Sequence, residues 1–279
     1  MNISPPPLVV ILTFCFNPDN LYGTLLTFKT LRVGFPDAKV LVVDNASHPV
    51  VRSSIRESAF AVGAEFIQYE QQIPHHFFIR QTLHAEVGSE RPLVFADPDL
   101  LFWEPVLLPE GDYLVAGRKL PSFYDSYTDT FTEGRLHTSL LMIPSVKKLT
   151  DRMLAIESKH WEMDVIRPVM IPEYDRVRRF DTFGVFSHMA AEFCHSFSEP
   201  ELDRYDHIFC GSHVDLVASK LHSYSKNLVS SHQQAITDYR QLKGLWRQQE
   251  HMFLSLALPR KLSVPSVQDG TEPVSIVTY

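Results

Sequence analysis

Two carboxylates interrupt an apolar run in residues 93–102, Leu-Val-Phe-Ala-Asp-Pro-Asp-Leu-Leu-Phe. The first four residues have the composition of a buried strand, and open α/β sheets bind their ligands where strands end. In a straight strand Asp97 and Asp99 face the same way, and Pro98 disfavours a helix at Asp97. The pair can therefore converge on one ligand, although an Asp-x-Asp is also an ordinary polar turn.

The sequence before this stretch alternates between strand and helix patterns. Strands are expected at 8–14, 39–44, 65–69 and 92–96, and helices at 21–33, 50–62 and 76–87. Gly34 and Gly63 follow the first two helices, as terminating glycines do. Four strands separated by three helices predict an α/β fold, a doubly wound, mostly parallel sheet with helices on both faces.

This order brings the loops after strands one, two and four to one edge of the sheet. Polar residues in those loops are Thr13, Asn17, Asp44, Asn45, Asp97 and Asp99. A nucleotide fits the set, because Asp44 can accept hydrogen bonds from a base or ribose. Asp97 and Asp99 can hold Mg²⁺ or Mn²⁺ against a diphosphate.

The phosphates need a further partner, because the chain has no Gly-rich phosphate loop of the Walker or dinucleotide type. Arg80, on the third predicted helix, is the expected helper. The alternative is that Arg80 belongs to an exposed helix surface.

Composition narrows the functional class. The chain has 279 residues, of which 44% are hydrophobic, with 26 basic and 33 acidic residues and a net charge of -7. This balance argues against a nucleic-acid binder that works by overall charge. Three cysteines are too few for a disulfide framework, no signal-peptide pattern is present, and the apolar stretch 8–16 is too short to span a bilayer. We therefore expect a cytoplasmic protein without a transmembrane segment.

The three edge segments resemble those of nucleotide-sugar-dependent glycosyltransferases of the GT-A fold, particularly the inverting family 2 type. The matching segments are 13–17 (Thr-Phe-Cys-Phe-Asn), 43–47 (Val-Asp-Asn-Ala-Ser) and 95–99 (Phe-Ala-Asp-Pro-Asp). The resemblance implies that Asp44 contacts the base, and that Asp97 and Asp99 bind the metal and the sugar diphosphate, with a UDP-sugar as the favoured donor. Asn45-Ala46 stands where Asp-Gly is frequent in that family, so the base stays open.

The same resemblance assigns roles beyond residue 105. An apolar strand is expected at 135–144, and its likeness to the family places His137, Thr138 and Ser139 in the donor-sugar pocket; an ordinary strand start is the alternative. Residues 113–117 form a candidate edge strand. The stretch 118–133, rich in aromatic and polar residues, is a candidate acceptor platform or lid.

An inverting transferase needs a carboxylate base on the acceptor side. Asp181 precedes a largely apolar segment at 185–193 and fits that location, although it is also an ordinary helix cap. Glu173 and Asp175 are weaker rivals.

The third metal ligand is expected to be a histidine from the C-terminal part of the chain. The resemblance to the family favours a histidine near a short apolar run that ends in Gly, which makes His213 the first choice, with His207 and His232 behind it. A lone histidine is more often structural than ligating.

The expected organisation is a GT-A-like catalytic domain at 1–230, with a nucleotide-binding half at 8–105 and an acceptor-side half at 106–230. A C-terminal helix at 231–258 is expected to dock on that domain or on a second subunit, and 259–279 is a tail.

The expected function is metal-dependent, inverting transfer of a sugar from a nucleoside-diphosphate sugar to an acceptor hydroxyl. The acceptor can be a glycan, a lipid carrier, a protein or a modified nucleic acid. A sugar-phosphate nucleotidyltransferase and a non-catalytic GT-A-like binding module are the alternatives.

Overall fold

The computed structural model describes residues 5–15, 21–125, 129–159, 164–173 and 176–207. The helices are α1 Leu21–Gly34, α2 Pro49–Ala61, α3 His75–Glu86, α4 Val146–Glu157, α5 Gly184–Met189 and α6 Glu199–Leu202. The strands are β1 Leu8–Thr13, β2 Lys39–Asn45, β3 Glu65–Tyr69, β4 Leu93–Ala96, β5 Leu100–Phe102, β6 Val115–Leu120, β7 Phe123–Asp125, β8 Thr130–Thr132, β9 Arg135–Ile143, β10 Val169–Pro172, β11 Val177–Phe180, β12 Cys194–Ser196 and β13 Tyr205–His207.

The main sheet has seven strands in the order β12-β6-β9-β4-β1-β2-β3. Strand β9 runs antiparallel to both of its neighbours, and the other pairs are parallel. The predicted α/β class with a mostly parallel sheet is therefore confirmed.

Helices cover both faces of this sheet, because successive side chains of a strand point to opposite faces. In β1, Val9 and Ile11 pack in one core with residues of α1 and α2. Leu8 and Val10 pack in a second core with residues of α3 and α4. These fully apolar runs are what a parallel sheet buried on both faces requires.

One local prediction past residue 105 is wrong. The segment at 113–117 was expected at the sheet edge, but β6 lies between β9 and β12, because three residues from Cys194 onward pair with it in parallel. The largely apolar segment at 185–193 contains the end of α5 at Met189 and a separate 3₁₀ turn at Ala191–Phe193.

The stretch 118–133 contains strands rather than one long loop. It includes the end of β6 and the strands β7 and β8, which join β11 and β10 in a second sheet of order β10-β11-β8-β7. Strand β6 ends at Leu120, which pairs with Arg135 at the start of β9. Since β6 and β4 run the same way, the β7–β8 hairpin projects from the edge at which β4 ends.

The predicted helix at 231–258 and the tail at 259–279 lie outside the described residues. Within the described ranges, no helix combines the length and apolar character needed to cross a membrane.

Candidate metal and nucleotide site

Asp97, Asp99 and His207 form a cluster at the carboxyl end of β4. One ligand atom from each lies within 4.8 Å of the others, and His207 Nε2 is 3.1 Å from Asp99 Oδ1. The backbone N–H of Asp97 donates to the carbonyl of Ser139 at 2.7 Å, which extends the pairing of β4 and β9 by one residue. The two aspartates thus converge as predicted, and a histidine lies beside them.

The short strand β5 positions Asp99 and His207 together. Strand β13 pairs antiparallel with β5, which sets His207 opposite Leu100, the residue after Asp99. Strand β5 is in turn anchored on α1, because the N–H of Phe102 donates to the Thr30 hydroxyl. Phe102 also packs edge-to-face on Phe35, the residue after α1, with ring centroids 5.2 Å apart. Gly34 permits this contact, because a Cβ there would lie 2.6 Å from the Phe102 ring.

The cluster holds two carboxylates whose negative charges repel each other, and a bound cation would offset that repulsion. Burial raises the pKa of Asp97 to about 7, and repulsion from Asp99 adds to the rise, while His207 opposes it. Two carboxylate oxygens and one imidazole nitrogen form a donor set that a divalent transition metal can bind. The mixed set suits Mg²⁺ less well, since Mg²⁺ takes oxygen ligands. The residues present therefore fit a divalent cation, with Mn²⁺ ahead of Mg²⁺.

The structure brings His207 to the aspartates, while His213 and His232 lie outside the described residues. His207 ranked behind His213 as the expected third metal ligand, and no feature of the neighbouring sequence favours it over the other histidines. Its position depends on the pairing of β5 with β13, two segments from distant parts of the chain.

His137 and Ser139 lie beside the cluster, as candidates for the donor-sugar pocket should. Their side chains contact each other, with His137 Nδ1 2.6 Å from Ser139 Oγ, and the His137 ring centroid is 5.1 Å from that of His207. Thr138 is buried, and strand alternation points it to the opposite face.

The second edge loop holds a buried carboxylate. Asp44 is fully buried opposite Thr13, whose hydroxyl donates to Asp44 Oδ1 at 3.2 Å. Asp44 Oδ2 lies 3.7 Å from Arg52 Nε, and it accepts no hydrogen bond from the described part of the chain. A buried acceptor without a donor is costly, so this oxygen fits a place where a ligand donates an N–H or O–H. Asn17, expected nearby, lies outside the described residues.

The side chain of Asn45, the last residue of β2, binds the backbone of the segment before α3. Its amide nitrogen donates to the carbonyl of Ile73 at 2.9 Å, and its amide oxygen accepts from the N–H of Ile73 at 2.8 Å. Both polar ends of the Asn45 side chain thus make backbone contacts that tie the end of β2 to the start of α3.

Arg80 clamps two helices together in this structure instead of pointing into the cluster. Its guanidinium pairs with Glu157, the last residue of α4, and lies 2.5 Å from Asp164 Oδ1. Glu157 also accepts the N–H of Val165. Glu157 and Asp164 thus hold the guanidinium that the sequence suggested for the diphosphate.

Asp181 does precede a helix, since α5 begins at Gly184. Its Oδ2 is 2.5 Å from Arg135 Nη2, and its Oδ1 accepts the N–H of Thr182 at 2.8 Å. Arg135 starts β9, two residues before His137. Each carboxylate oxygen therefore accepts one hydrogen bond from the protein, and a carboxylate oxygen can accept a second one.

The rival carboxylates are placed differently. Glu173 Oε2 pairs with Arg176 Nε at 3.2 Å, and Asp175 lies outside the described residues.

No family model matches the sequence, and no curated protein matches it. Solved structures with a similar backbone include the apo form of the glycosyltransferase GlyE of Streptococcus pneumoniae TIGR4, at 14% identity over 70% of this chain and 45% of that chain, with a TM-score of 0.40. The bifunctional glycosyltransferase WbbM is 12% identical over 71% of this chain and 39% of that chain, with a TM-score of 0.44. An active-site mutant of LgtC is 11% identical over 67% of this chain and 72% of that chain, with a TM-score of 0.39. The chain thus spans less than half the length of the GlyE and WbbM structures that it resembles.

Proposed function

We propose that this protein is a metal-dependent glycosyltransferase that moves a sugar from a nucleoside-diphosphate sugar to an acceptor hydroxyl with inversion. One observation carries the proposal. The cluster of Asp97, Asp99 and His207 occupies the carboxyl edge of a mostly parallel sheet, and the buried Asp44 lies at the same edge.

The donor's nucleoside is proposed to lie against Asp44 and Thr13. Asp44 Oδ2 selects a group that donates a hydrogen bond, such as an N–H of a base or a ribose hydroxyl. A UDP-sugar is the donor we favour, on the resemblance of the three edge segments taken together to nucleotide-sugar glycosyltransferases. His137 and Ser139 extend from the cluster along β9 and are proposed to contact the sugar.

Asp97, Asp99 and His207 would hold Mn²⁺ or Mg²⁺. A divalent cation bound there supplies positive charge that stabilises a departing diphosphate. The three side chains orient the diphosphate by fixing where that charge lies, and the burial of Asp99 and His207 excludes water from this end of the site.

Asp181 is the proposed base. The acceptor oxygen attacks the anomeric carbon while the bond between that carbon and the diphosphate breaks. The proton of the acceptor hydroxyl passes to Asp181, and the nucleoside diphosphate leaves with the bonding electron pair. Arg135 holds Asp181 beside the start of β9, and the acceptor hydroxyl donates to a remaining lone pair of the Asp181 carboxylate.

The test is release of nucleoside diphosphate from a panel of nucleotide sugars, with Mn²⁺, with Mg²⁺ and with EDTA. We expect turnover with Mn²⁺ that EDTA abolishes, and loss of turnover in the double variant Asp97→Asn, Asp99→Asn. Asp37→Asn is the matched control, because Asp37 is an exposed aspartate outside the site. Turnover at the wild-type rate in the double variant would overturn the proposal.

Two further reactions separate the alternatives. Pyrophosphate formed from a nucleoside triphosphate and a sugar phosphate would identify a nucleotidyltransferase. Thermal stabilisation by a nucleotide sugar and Mn²⁺ without any turnover would identify a binding module, since a ligand that binds only the folded state raises its stability.

A further inference from the structure

The second sheet carries a hollow that the proposed chemistry does not use. It measures about 290 Å³, and Tyr124, Asp129, Phe131 and Arg176 line it. Tyr124 of β7 pairs directly with Phe131 of β8, so their rings are cross-strand neighbours on one face. A hollow of this size lies at the lower end of ligand pockets and suits one small ring.

Contacts among the described residues hold the lining side chains in place. The Tyr124 hydroxyl donates to Asp129 Oδ1 at 2.5 Å. The guanidinium of Arg176 lies 5.2 Å from the centre of the Phe131 ring, and its Nε donates to Glu173 at 3.2 Å. The hollow therefore has two aromatic walls and two polar corners.

Asp129 adopts a backbone conformation that favours glycine, with φ at +52°. Its carbonyl accepts the N–H of Val177, which ties the residue to β11. Strained residues of this kind are often held in place at ligand sites. Here the conformation sets the Asp129 carboxylate against the Tyr124 hydroxyl.

The charges at the hollow favour a neutral ligand. Asp129 and Arg176 in the lining carry opposite charges, and the neighbouring Glu173 pairs with both Arg176 and Arg178. Neither an anion nor a cation therefore meets a field of one sign. Tyr124, which lines the hollow, is 48% exposed to solvent. A saccharide matches this lining, because its hydroxyls both donate and accept while the C–H face of its ring packs on an aromatic side chain.

We propose that this hollow is a subsite for one sugar unit of a saccharide acceptor. This inference rests on the proposed glycosyl transfer and names its acceptor class. The β7–β8 hairpin projects from the edge that holds the metal cluster. From Thr130 along the chain to Ser139, at about 3.3 Å per residue, the reach is at most about 30 Å. That span suits an acceptor of several sugar units.

The test measures glycan binding directly, without donor, on the full chain. Wild-type protein is titrated with neutral hexasaccharides of the cello, chito and malto series, and with a sulfated heparin hexasaccharide. We expect one of the neutral series to bind, and Tyr124→Ala to weaken that binding at least tenfold. Phe123→Ala is the matched control, because Phe123 is on the same strand, 44% exposed and on the opposite face.

Binding of the heparin oligosaccharide alone, binding of no hexasaccharide, or an equal loss in Phe123→Ala would each overturn the subsite. The unfolding midpoints of Tyr124→Ala and Phe123→Ala identify any loss of glycan affinity that comes from misfolding. A further variant, Tyr124→Phe, keeps the aromatic ring and is expected to retain part of the affinity. The subsite can fail separately from the proposed function, because release of nucleoside diphosphate without acceptor reports on the donor side only.

Discussion

His207 Nε2 lies 3.1 Å from Asp99 Oδ1, although the two residues belong to distant parts of the chain. Strand pairing brings them together, because β13 adds to β5 directly after the Asp-Pro-Asp segment. An imidazole and two carboxylates at this spacing form a compact ligand set. The affinity for Mn²⁺ should therefore depend on His207 and on the packing that positions β5.

Replacement of His207 by alanine should weaken Mn²⁺ binding about tenfold or more, because one of three protein ligands is lost. Titration of Mn²⁺ followed by electron paramagnetic resonance measures this directly. His84→Gln is the control, since His84 is an exposed histidine on α3. Equal Mn²⁺ affinity in the His207 variant and in wild type would remove His207 from the site.

Gly34→Ala should destabilise the protein by about 1–3 kcal/mol, because the new Cβ would lie 2.6 Å from the Phe102 ring and force β5 to shift. The variant should also bind Mn²⁺ more weakly, since β5 follows Asp99. Urea denaturation measures the first effect. Gly88→Ala is the control, because a Cβ there meets no described atom within 4 Å, and a similar loss in that variant would contradict the packing explanation.

Arg80→Ala should lower the free energy of unfolding by about 2 kcal/mol, a value between those of exposed and buried ion pairs. It should leave the affinity for nucleoside diphosphate unchanged, because the guanidinium contacts Glu157 and Asp164. Denaturation and nucleotide titration give the two values. Loss of nucleotide affinity with unchanged stability would restore Arg80 as the diphosphate partner.

The free energy of unfolding should fall in mild acid because of the buried His75. Burial lowers the pKa of His75 to about 4, from an ordinary value near 6.5. The unfolded chain therefore binds more protons between pH 6.5 and 4, so stability falls as pH falls through this window, by up to about 3 kcal/mol.

Urea denaturation at pH 4.5 and pH 7 tests this pH dependence. His75→Gln should narrow the difference in stability between the two pH values, whereas His84→Gln should not. An unchanged difference in the His75 variant would show that other groups cause the acid sensitivity.

Asp181→Asn should lower the rate of sugar transfer about 100-fold or more, since an amide cannot take the acceptor proton. Affinity for Mn²⁺ and for the donor should stay within a few-fold of wild type. Transfer rates at saturating donor and acceptor give the comparison. Glu199→Gln is the control, an exposed carboxylate in the first turn of α6. If Asp181→Asn transfers as fast as wild type, the base is another group.

The fold of residues 8–105 was predictable because its patterns are local. Apolar runs and terminating glycines predicted the strands and helices between Leu8 and Ala96 to within a residue or two of their bounds. The carboxyl ends of parallel strands share an edge, so the placement of Asp97 and Asp99 at the same edge as Asp44 followed from strand order.

The fold beyond residue 105 was less predictable because its contacts are long-range. The three-residue strands β12 and β13 are too short to give a periodic signal, and their partners β6 and β5 lie far away in the chain. Their pairing moves β6 into the sheet interior and brings His207 to Asp99.

The sequence by itself determined the α/β alternation and the carboxylate-lined edge, because hydrophobic periodicity and turn residues act over a few neighbouring positions. Only the tertiary structure decided which histidine meets Asp99 and which carboxylates hold Arg80. Strand pairing and ion pairing between remote segments set those contacts, and such pairings leave no mark in the residues beside them.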